Sequence, residues 1–450
     1  MSKANSKTIE QLIDDDYYGY AKYVIESRAI PSYIDGFKPV QRKVLYVVRK
    51  TAPVNGPKKK ISEIAGSMSS MANYHHGSAS AEDASSRMAQ TFNNNVPLVT
   101  GHGSFGSRLV PEPSAPRYIF GTLSPEFDKW FSDEEVCPPN PEPDSPEPAH
   151  YLPLIPWVLV NGSSGMAVGF ATNILPHAPA DIAKLCHDCL RSSDGSLDSN
   201  MIVKPSFPAF HGEIVQRDDA GKSWTTRGLI RKKNTTNLVI TELPVGYSRE
   251  KYVKILTKME DDDRINNFED HCSKKGFEFR ISVSRKQMQW FESGKKSLEE
   301  HFKLETHFTE NLTAIDENNK LVVFDSIPEM VQRFCEYRKK MFTKKFAHEA
   351  QEASERLTYL RAQRTFIHNV VTGVIEVSKN TRKQLLKHVM QDIIKDEDKA
   401  NRIISIPVYN MTSDRIKTLE KQIRDEESNL EYWKTVDVND HYLEHLEKVM

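Results

Sequence analysis

The last third of this 450-residue chain constrains its architecture most. From Ile327 the apolar residues fall at Ile327, Val331, Phe334, Tyr337, Met341, Phe346, Ala350, Ala353, Leu357 and Leu360. Their spacing is three or four almost throughout, with charges between. That period predicts one amphipathic helix. Unbroken over about forty residues, it would span roughly 60 Å. A second run (Ile416, Leu419, Ile423, Leu430, Trp433) follows Thr412-Ser413-Asp414, a helix start signal. Two long helices flanking a compact stretch, about 365–407, suggest an antiparallel coiled-coil stalk with a small globular tip; a plain helical bundle would carry the same periodicity.

The rest of the chain reads as two further regions. Cys137–Pro148, CPPNPEPDSPEP, is too proline-rich for a helix or central strand and serves as a linker. Before it, 17–25 and 39–50 have helical spacing, with Val40, Val44 and Val47/Val48 on one side. Small helices with a basic surface suit a helix-turn-helix or winged-helix module. After it, 151–325 is mixed. Leu159–Val160, Ala167–Phe170, Leu238–Thr241 and Phe277–Val283 read as strands, and Pro179–Arg191 and Arg249–Glu260 as helices, which predicts an α+β domain.

Net charge is −1, which says nothing of partners, but its distribution does. Tyr17 to Tyr118 holds thirteen Lys/Arg against six Asp/Glu, and no acid lies between Gly36 and Ser62. After Tyr118 the sign reverses, from Glu126 to Glu147. A basic region on a neutral chain suits either a polyanion partner or a solvated lysine-rich face. No apolar run reaches membrane-span length, and Met1–Gln11 has no signal-like core, so a cytoplasmic protein is expected. Five scattered cysteines fit a reducing compartment. The single CxxC, Cys186/Cys189, has no second pair for zinc.

Three N-terminal segments stand out. In the first, Arg28 to Lys43, Asp35-Gly36 marks a turn and Pro39 opens a helix whose first turns carry Gln41, Arg42 and Lys43, where backbone phosphates could sit. The second is Asn73-Tyr74-His75-His76-Gly77-Ser78. Its histidine pair could be a metal site, a proton shuttle or a surface turn, and neighbours on a helix are poor joint ligands. The third runs from Gly101 through Ser107 to Arg117-Tyr118. Its GxGxxG letters do not make a dinucleotide site, because the preceding segment is broken by Asn93–Asn95 and Pro97 and no clear helix follows. The glycines more plausibly permit a close backbone approach.

In this order and spacing the segments closely resemble the breakage-reunion subunit of type IIA topoisomerases. Asp35-Gly36-Phe37-Lys38-Pro39 through Leu45 resembles the family's DGxKPxxRR/K signature. Tyr74-His75-His76-Gly77 resembles the eukaryotic YHHG form, and Arg117-Tyr118 the Arg-Tyr pair. Val160–Ile174 and Thr241–Gly246 resemble two later signatures. The prolines of Glu112–Pro116 depart from the bacterial pattern. Length, YHHG and the lack of a domain after the stalk look most like the phage branch.

The resemblance implies an α+β multidomain fold: an N-terminal arm and winged-helix catalytic domain (1–136), a tower domain (149–325), and a long antiparallel coiled coil with a small helical dimerisation gate (326–450). It implies that Tyr118 attacks a backbone phosphate to give a 5′-phosphotyrosine, with His76 handling protons and Arg117 and Arg28 stabilising phosphoryl charge. Lys38, Gln41, Arg42, Lys43 and His75 would hold DNA, and Met166 would wedge between base pairs. The chain carries no GxxxxGK[ST] and no TOPRIM-like acidic motif. Asp14–Asp16 and Asp261–Asp263 read as solvated charge. Mg²⁺ and ATP are therefore expected on partner ATPase/TOPRIM chains, with double-stranded DNA and a second copy of this chain as the other partners and no membrane. Without a wrapping domain, relaxation and decatenation are expected and gyrase-like supercoiling is not. The rival is a DNA-binding scaffold of the same fold with an idle Tyr118.

Overall fold

The computed structural model describes residues 17–294 and 296–450. The arm before Tyr17 and the Asp14–Asp16 run lie outside the described residues. The chain divides into two compact units: one ends at Arg338 and includes His445–Met450, and the other is Lys339–Glu444.

In the first unit, helix α1 (Tyr18–Val24) runs into a π-turn, Ile25–Ala29. Helix α2 (Pro39–Thr51) starts at the expected proline and buries Val44, Leu45, Val47 and Val48. Its first turn is closed by the Gln41 side chain, whose oxygen accepts the Lys38 amide at 2.9 Å. Helices α3 (Ile61–Met71) and α4 (Ser78–Met88) pack beside it. A three-stranded antiparallel sheet completes the module, with β3 (Phe120–Leu123) between β1 (Lys59–Lys60) and β2 (Val99–His102). Gly121 pairs with both Lys59 and Gly101.

The region after the prolines is α+β. Strands β4 (Ser163–Met166) and β5 (Ala171–Ile174) form a hairpin. A three-stranded sheet has the order β12-β7-β6: β6 is Glu213–Gln216, β7 Ser223–Arg227 and β12 Glu305–Thr309. A four-stranded antiparallel sheet has the order β10-β11-β9-β8: β8 is Leu229–Lys232, β9 Asn237–Glu242, β10 Asn267–Asp270 and β11 Phe279–Ser282. On its inner face Leu238, Ile240, Phe279 and Ile281 pack with Tyr252, Leu256 and Phe302. Helices α5 (Pro179–Arg191) and α6 (Arg249–Asp261) fall where the apolar period put them. Two strand expectations are corrected. Leu159–Val160 lies in a short helix, Trp157–Asn161, because four consecutive buried apolar residues read alike in a helix or a strand. Ala167–Phe170 is the hairpin loop, turned by Gly169 at φ +76° and closed by Ala167 N–H on Phe170 C=O at 2.8 Å.

Two buried groups of opposite electrostatic tendency brace the root of that hairpin. The His177 imidazole donates from Nδ1 to the Leu159 carbonyl at 3.3 Å, its Nε2 is buried without a partner, and burial pushes its pKa down to about 4. The Glu310 carboxylate accepts the Leu175 amide at 3.0 Å, and burial pushes its pKa up to about 7 against that bond and Lys222. Native His177 stays neutral where the unfolded chain would bind a proton. Its contribution to stability is therefore present above the ordinary histidine value and is lost as pH falls from about 6.5 towards 4. The Glu310 contribution is lost in the opposite direction, as pH rises through about 7. The difference in unfolding free energy between the native chain and His177→Gln, read from urea curves, isolates the first effect: it should shrink by about 2–3 kcal/mol between pH 7 and 4. A difference that does not change with pH contradicts it.

The long helix α7 (Ile327–Val371, 45 residues) begins in the first unit and continues into the second, where it runs antiparallel to α10 (Ser413–Thr435). Arg356–Glu426, Arg361–Glu427 and Arg364–Glu420 ion pairs line the contact, at 3.0, 2.6 and 2.9 Å. Exposed pairs of this kind contribute little. The seam itself is apolar, with Ala353, Leu357 and Leu419 buried and Phe346 on Trp433 at 5.6 Å. Helices α8 (Arg382–Asp392) and α9 (Glu397–Ile404) enclose a small core of Phe366, Leu385, Val389 and Ile403. Among the described residues no helix is long and apolar enough to cross a membrane.

Candidate active site

Tyr118 closes a turn at residues 116–118, just before the central strand β3. Its amide donates to Ala115 C=O at 2.9 Å. The turn is fastened to the start of α3: Ser62 N–H donates to Pro116 C=O at 3.3 Å and Ile61 N–H to Ile119 C=O at 3.0 Å. First-turn amides have no partner within their own helix, so they are available for this task and place the positive end of the helix beneath the turn. Further back, the loop doubles on itself at Gly106, φ +86°, where a Cβ would lie 2.5 Å from Pro111 C=O. Gln90 donates to Phe105 C=O at 2.8 Å and Pro111 C=O at 3.2 Å, and Arg108 reaches Glu242 at 2.6 Å.

The backbone here is held while the tyrosine side chain is not. Tyr118 is 67 % exposed, an unusual state for so large a ring. Among the described residues its hydroxyl has no hydrogen-bond partner. The Arg117 guanidinium lies over the ring at 4.9 Å, an exposed cation–π contact of roughly 0.5–1 kcal/mol. Lys59 and Lys60 pair with Gly121 and Phe120 on one side of β3, and His102 pairs with Phe120 on the other. Burial, then the charge of Lys58, lowers the His102 pKa.

Arg28 and His76 belong to a second cluster. His76 is exposed, with Nε2 2.9 Å from the Tyr23 hydroxyl and its ring edge-on to Tyr74 at 5.3 Å. Burial raises the Tyr74 pKa, opposed by Ser80 and by the nearby charge of Arg28. His75 is exposed beside them. Within one chain Arg117 thus lies at Tyr118, while His76 meets Tyr23 and Tyr74, and the charge of Arg28 is felt at Tyr74. Tyr23 and Tyr74 carried no signal of their own in the sequence as partners of His76.

The basic residues of α2 divide sharply. Lys38 Nζ donates to Ser164 C=O at 2.8 Å; burial, helped by Arg87, lowers its pKa. Its place beside Gly165, where a Cβ would be 2.2 Å from Ala29 C=O, ties the β4–β5 hairpin to the first segment. Arg42 and Lys43, expected at DNA from the sequence, both make ion pairs within the chain. Arg42 is committed to the fully buried Asp35, with Nε on Oδ2 at 2.7 Å and Nη2 on Oδ1 at 3.0 Å. Lys43 is buried and spends its three donors on Ala72 C=O at 2.7 Å, Ser145 Oγ at 3.1 Å and Glu147 at 2.7 Å. Neither can turn outward without leaving a buried carboxylate unpaired. Gln41 keeps its amide nitrogen beyond the bond from its oxygen to Lys38 N–H. Met166 is 87 % exposed at the end of β4, with Phe170 half-exposed across the loop. A groove of about 650 Å³ runs between α4 and the hairpin, past Arg87, Asn93, Ser163, Ser164 and Tyr247. Among the described residues no group of three or more His, Cys, Asp or Glu is arranged to hold a metal ion.

Residues 28–448 match the family model that describes the A-type subunits of DNA gyrase and topoisomerase IV. The chain is 35% identical to the DNA topoisomerase medium subunit of Enterobacteria phage T4, over 99% of both chains. It is 27% identical to the A-type gyrase subunit of Thermotoga maritima, covering 93% of this chain and 54% of that one. A crystal structure of the DNA-binding, cleavage and re-ligation domain of Plasmodium falciparum topoisomerase II superposes with a TM-score of 0.84 at 27% identity, over 96% of this chain and 62% of the other. Against these longer relatives, the chain spans under two thirds of their length.

Proposed function

Because the chain belongs to the family of A-type DNA gyrase/topoisomerase IV subunits, of type II topoisomerases, we propose that it cleaves and religates DNA and that Tyr118 is its nucleophile. One observation carries the reading: a large aromatic hydroxyl stands exposed and unpartnered on a turn whose backbone is fixed at a helix N-terminus, with a guanidinium on its ring. Enzymes hold reacting groups on rigid supports and leave the reacting atom accessible.

The phenolic oxygen attacks a backbone phosphorus. The new bond is Tyr118 O–P and the bond that breaks is P–O3′; the phenolic proton passes to solvent, and the departing O3′ takes one up to become the 3′-hydroxyl. A phenol with pKa ~10 is mostly protonated at neutral pH, so its proton needs an acceptor and the phosphoryl charge needs cations. Arg117, already at the ring, supplies the first cation; Arg28, with His76 alongside, supplies the second. The phosphotyrosine ester conserves the backbone bond energy, so religation by the 3′-hydroxyl needs no nucleotide. Lys38, Gln41, His75 and the exposed Lys58, with Arg87, meet phosphates without reading bases. Two copies, one tyrosine per strand, make a double-strand break through which a second duplex passes, relaxing supercoils and unlinking rings. Among the described residues no group of three or more His, Cys, Asp or Glu is arranged to hold a metal ion, and Mg²⁺ and ATP are expected on partner chains. ATPase and TOPRIM functions belong to partner chains, and 326–450 serves as stalk and dimer gate.

In the decisive experiment, the chain is mixed with such partners, Mg²⁺ and plasmid, then quenched with denaturant. The reading requires protein on the 5′ ends of both broken strands. Protein on 3′ ends contradicts it.

At the hairpin, Met166 acts as the wedge that partly unstacks a base step. Met166→Ala should lose about 1–2 kcal/mol of apolar contact, lowering cleavage roughly tenfold and reducing the DNA bend seen by fluorescence energy transfer. An unchanged bend would rule the wedge out.

A further inference from the structure

Tyr23 lies on α1, outside every segment that carries the family resemblance. It is 41 % exposed, while Ala21 and Val24 bury the inner face of that helix. A tyrosine kept only for packing buries its ring; this one keeps its ring at the surface and sends its hydroxyl 2.9 Å from His76 Nε2. The phenolic O–H can donate and an unprotonated imidazole nitrogen can accept, and in that arrangement Tyr23 is the donor and Nε2 the acceptor. A neutral imidazole has only one N–H, which must then sit on Nδ1. Tyr74, edge-on at 5.3 Å, restrains the same ring from within its own segment. The other groups around this cluster are Arg28 from the π-turn, whose charge is felt at Tyr74, and the neighbouring His75.

We infer that Tyr23 is a positioning residue for His76, holding the imidazole in the Nδ1–H form so that this N–H, rather than a lone pair, faces the DNA phosphate. This rests on the proposed place of His76 beside the phosphoryl group, and it replaces the expected proton handling with hydrogen-bond donation. His76 donates a hydrogen bond to a phosphoryl oxygen as charge develops there, and it does not take the proton of Tyr118 through Nδ1. Charge-assisted donors of this type are stronger in the transition state than in the ground state. Helix α1 thereby becomes part of the site.

The test compares single-turnover cleavage in the complete complex for the native chain, Tyr23→Phe, His76→Ala and the double variant. Loss of one exposed hydrogen bond should slow cleavage about three- to tenfold in Tyr23→Phe without changing DNA affinity. On the His76→Ala background the same change should cost nothing further, and the pH profile of cleavage should shift in Tyr23→Phe alone. Nitrogen-15 shifts of His76 should report Nδ1–H in the native chain and a mixture with Nε2–H in Tyr23→Phe. Equal losses on both backgrounds, or a native ring protonated on Nε2, overturn the inference. If His76→Ala does not slow cleavage, the roles of His76 and Tyr23 fall together, while covalent trapping through Tyr118 still reports the nucleophile separately.

Discussion

Tyr118→Phe should remove covalent protein–DNA complexes altogether and slow cleavage by about 10⁴-fold or more, as expected when a covalent nucleophile is deleted from an otherwise intact site. The substitution takes away one oxygen. The ring remains, and with it the contact to Arg117 at 4.9 Å. Because the side chain is exposed and its hydroxyl bonds to nothing among the described residues, stability should change by no more than about 0.5 kcal/mol. DNA affinity and its salt dependence should be those of the native chain. Loss of chemistry without loss of fold or binding separates a nucleophile from a structural tyrosine. A variant that still forms adducts would move the nucleophile elsewhere, and one that no longer binds DNA would make Tyr118 a contact residue.

The second large effect lies at a residue that looks from sequence like a DNA contact. Arg42→Ala should destabilise the first unit by about 3–5 kcal/mol, because it strands the Asp35 carboxylate at 0% exposure. Asp35 also accepts the amides of Phe37 and Tyr151, both at 3.0 Å, so it fixes the turn before α2 and joins it to the segment after the prolines. Unfolding in urea should show the loss as a lower midpoint. In the fraction that remains folded, the slope of log affinity against log salt should be unchanged, since Arg42 neutralises no phosphate. Unaltered stability together with a slope reduced by about one would reverse the assignment and put Arg42 on the DNA.

This contrast shows what the sequence could and could not convey. Helix α2 was legible because Pro39 and the spacing of Val44, Val47 and Val48 are local signals. The 45-residue helix was legible for the same reason. Tyr118 was legible only through resemblance to a family, since an Arg-Tyr pair has no intrinsic specificity. Charge alone could not say which cations of α2 face outward. The partner that claims Lys43 is Glu147, more than a hundred positions away in a proline-rich stretch that reads as a linker, and the pairing exists only after tertiary folding. The bond from Tyr23 to His76 is equally non-local, and its geometry has no periodic signature. Leu159–Val160 was misread because a short apolar run fits two backbone periods.

The central claim is that one phenolic oxygen becomes joined to a 5′ phosphate, and peptide mapping tests it most directly. Complexes trapped with denaturant are trimmed with nuclease, digested with protease and sequenced by mass spectrometry. The account predicts a single modified peptide, with a nucleotide linked through its 5′ phosphate to Tyr118. The same modification on any other side chain, or a nucleotide attached through its 3′ phosphate, would contradict it.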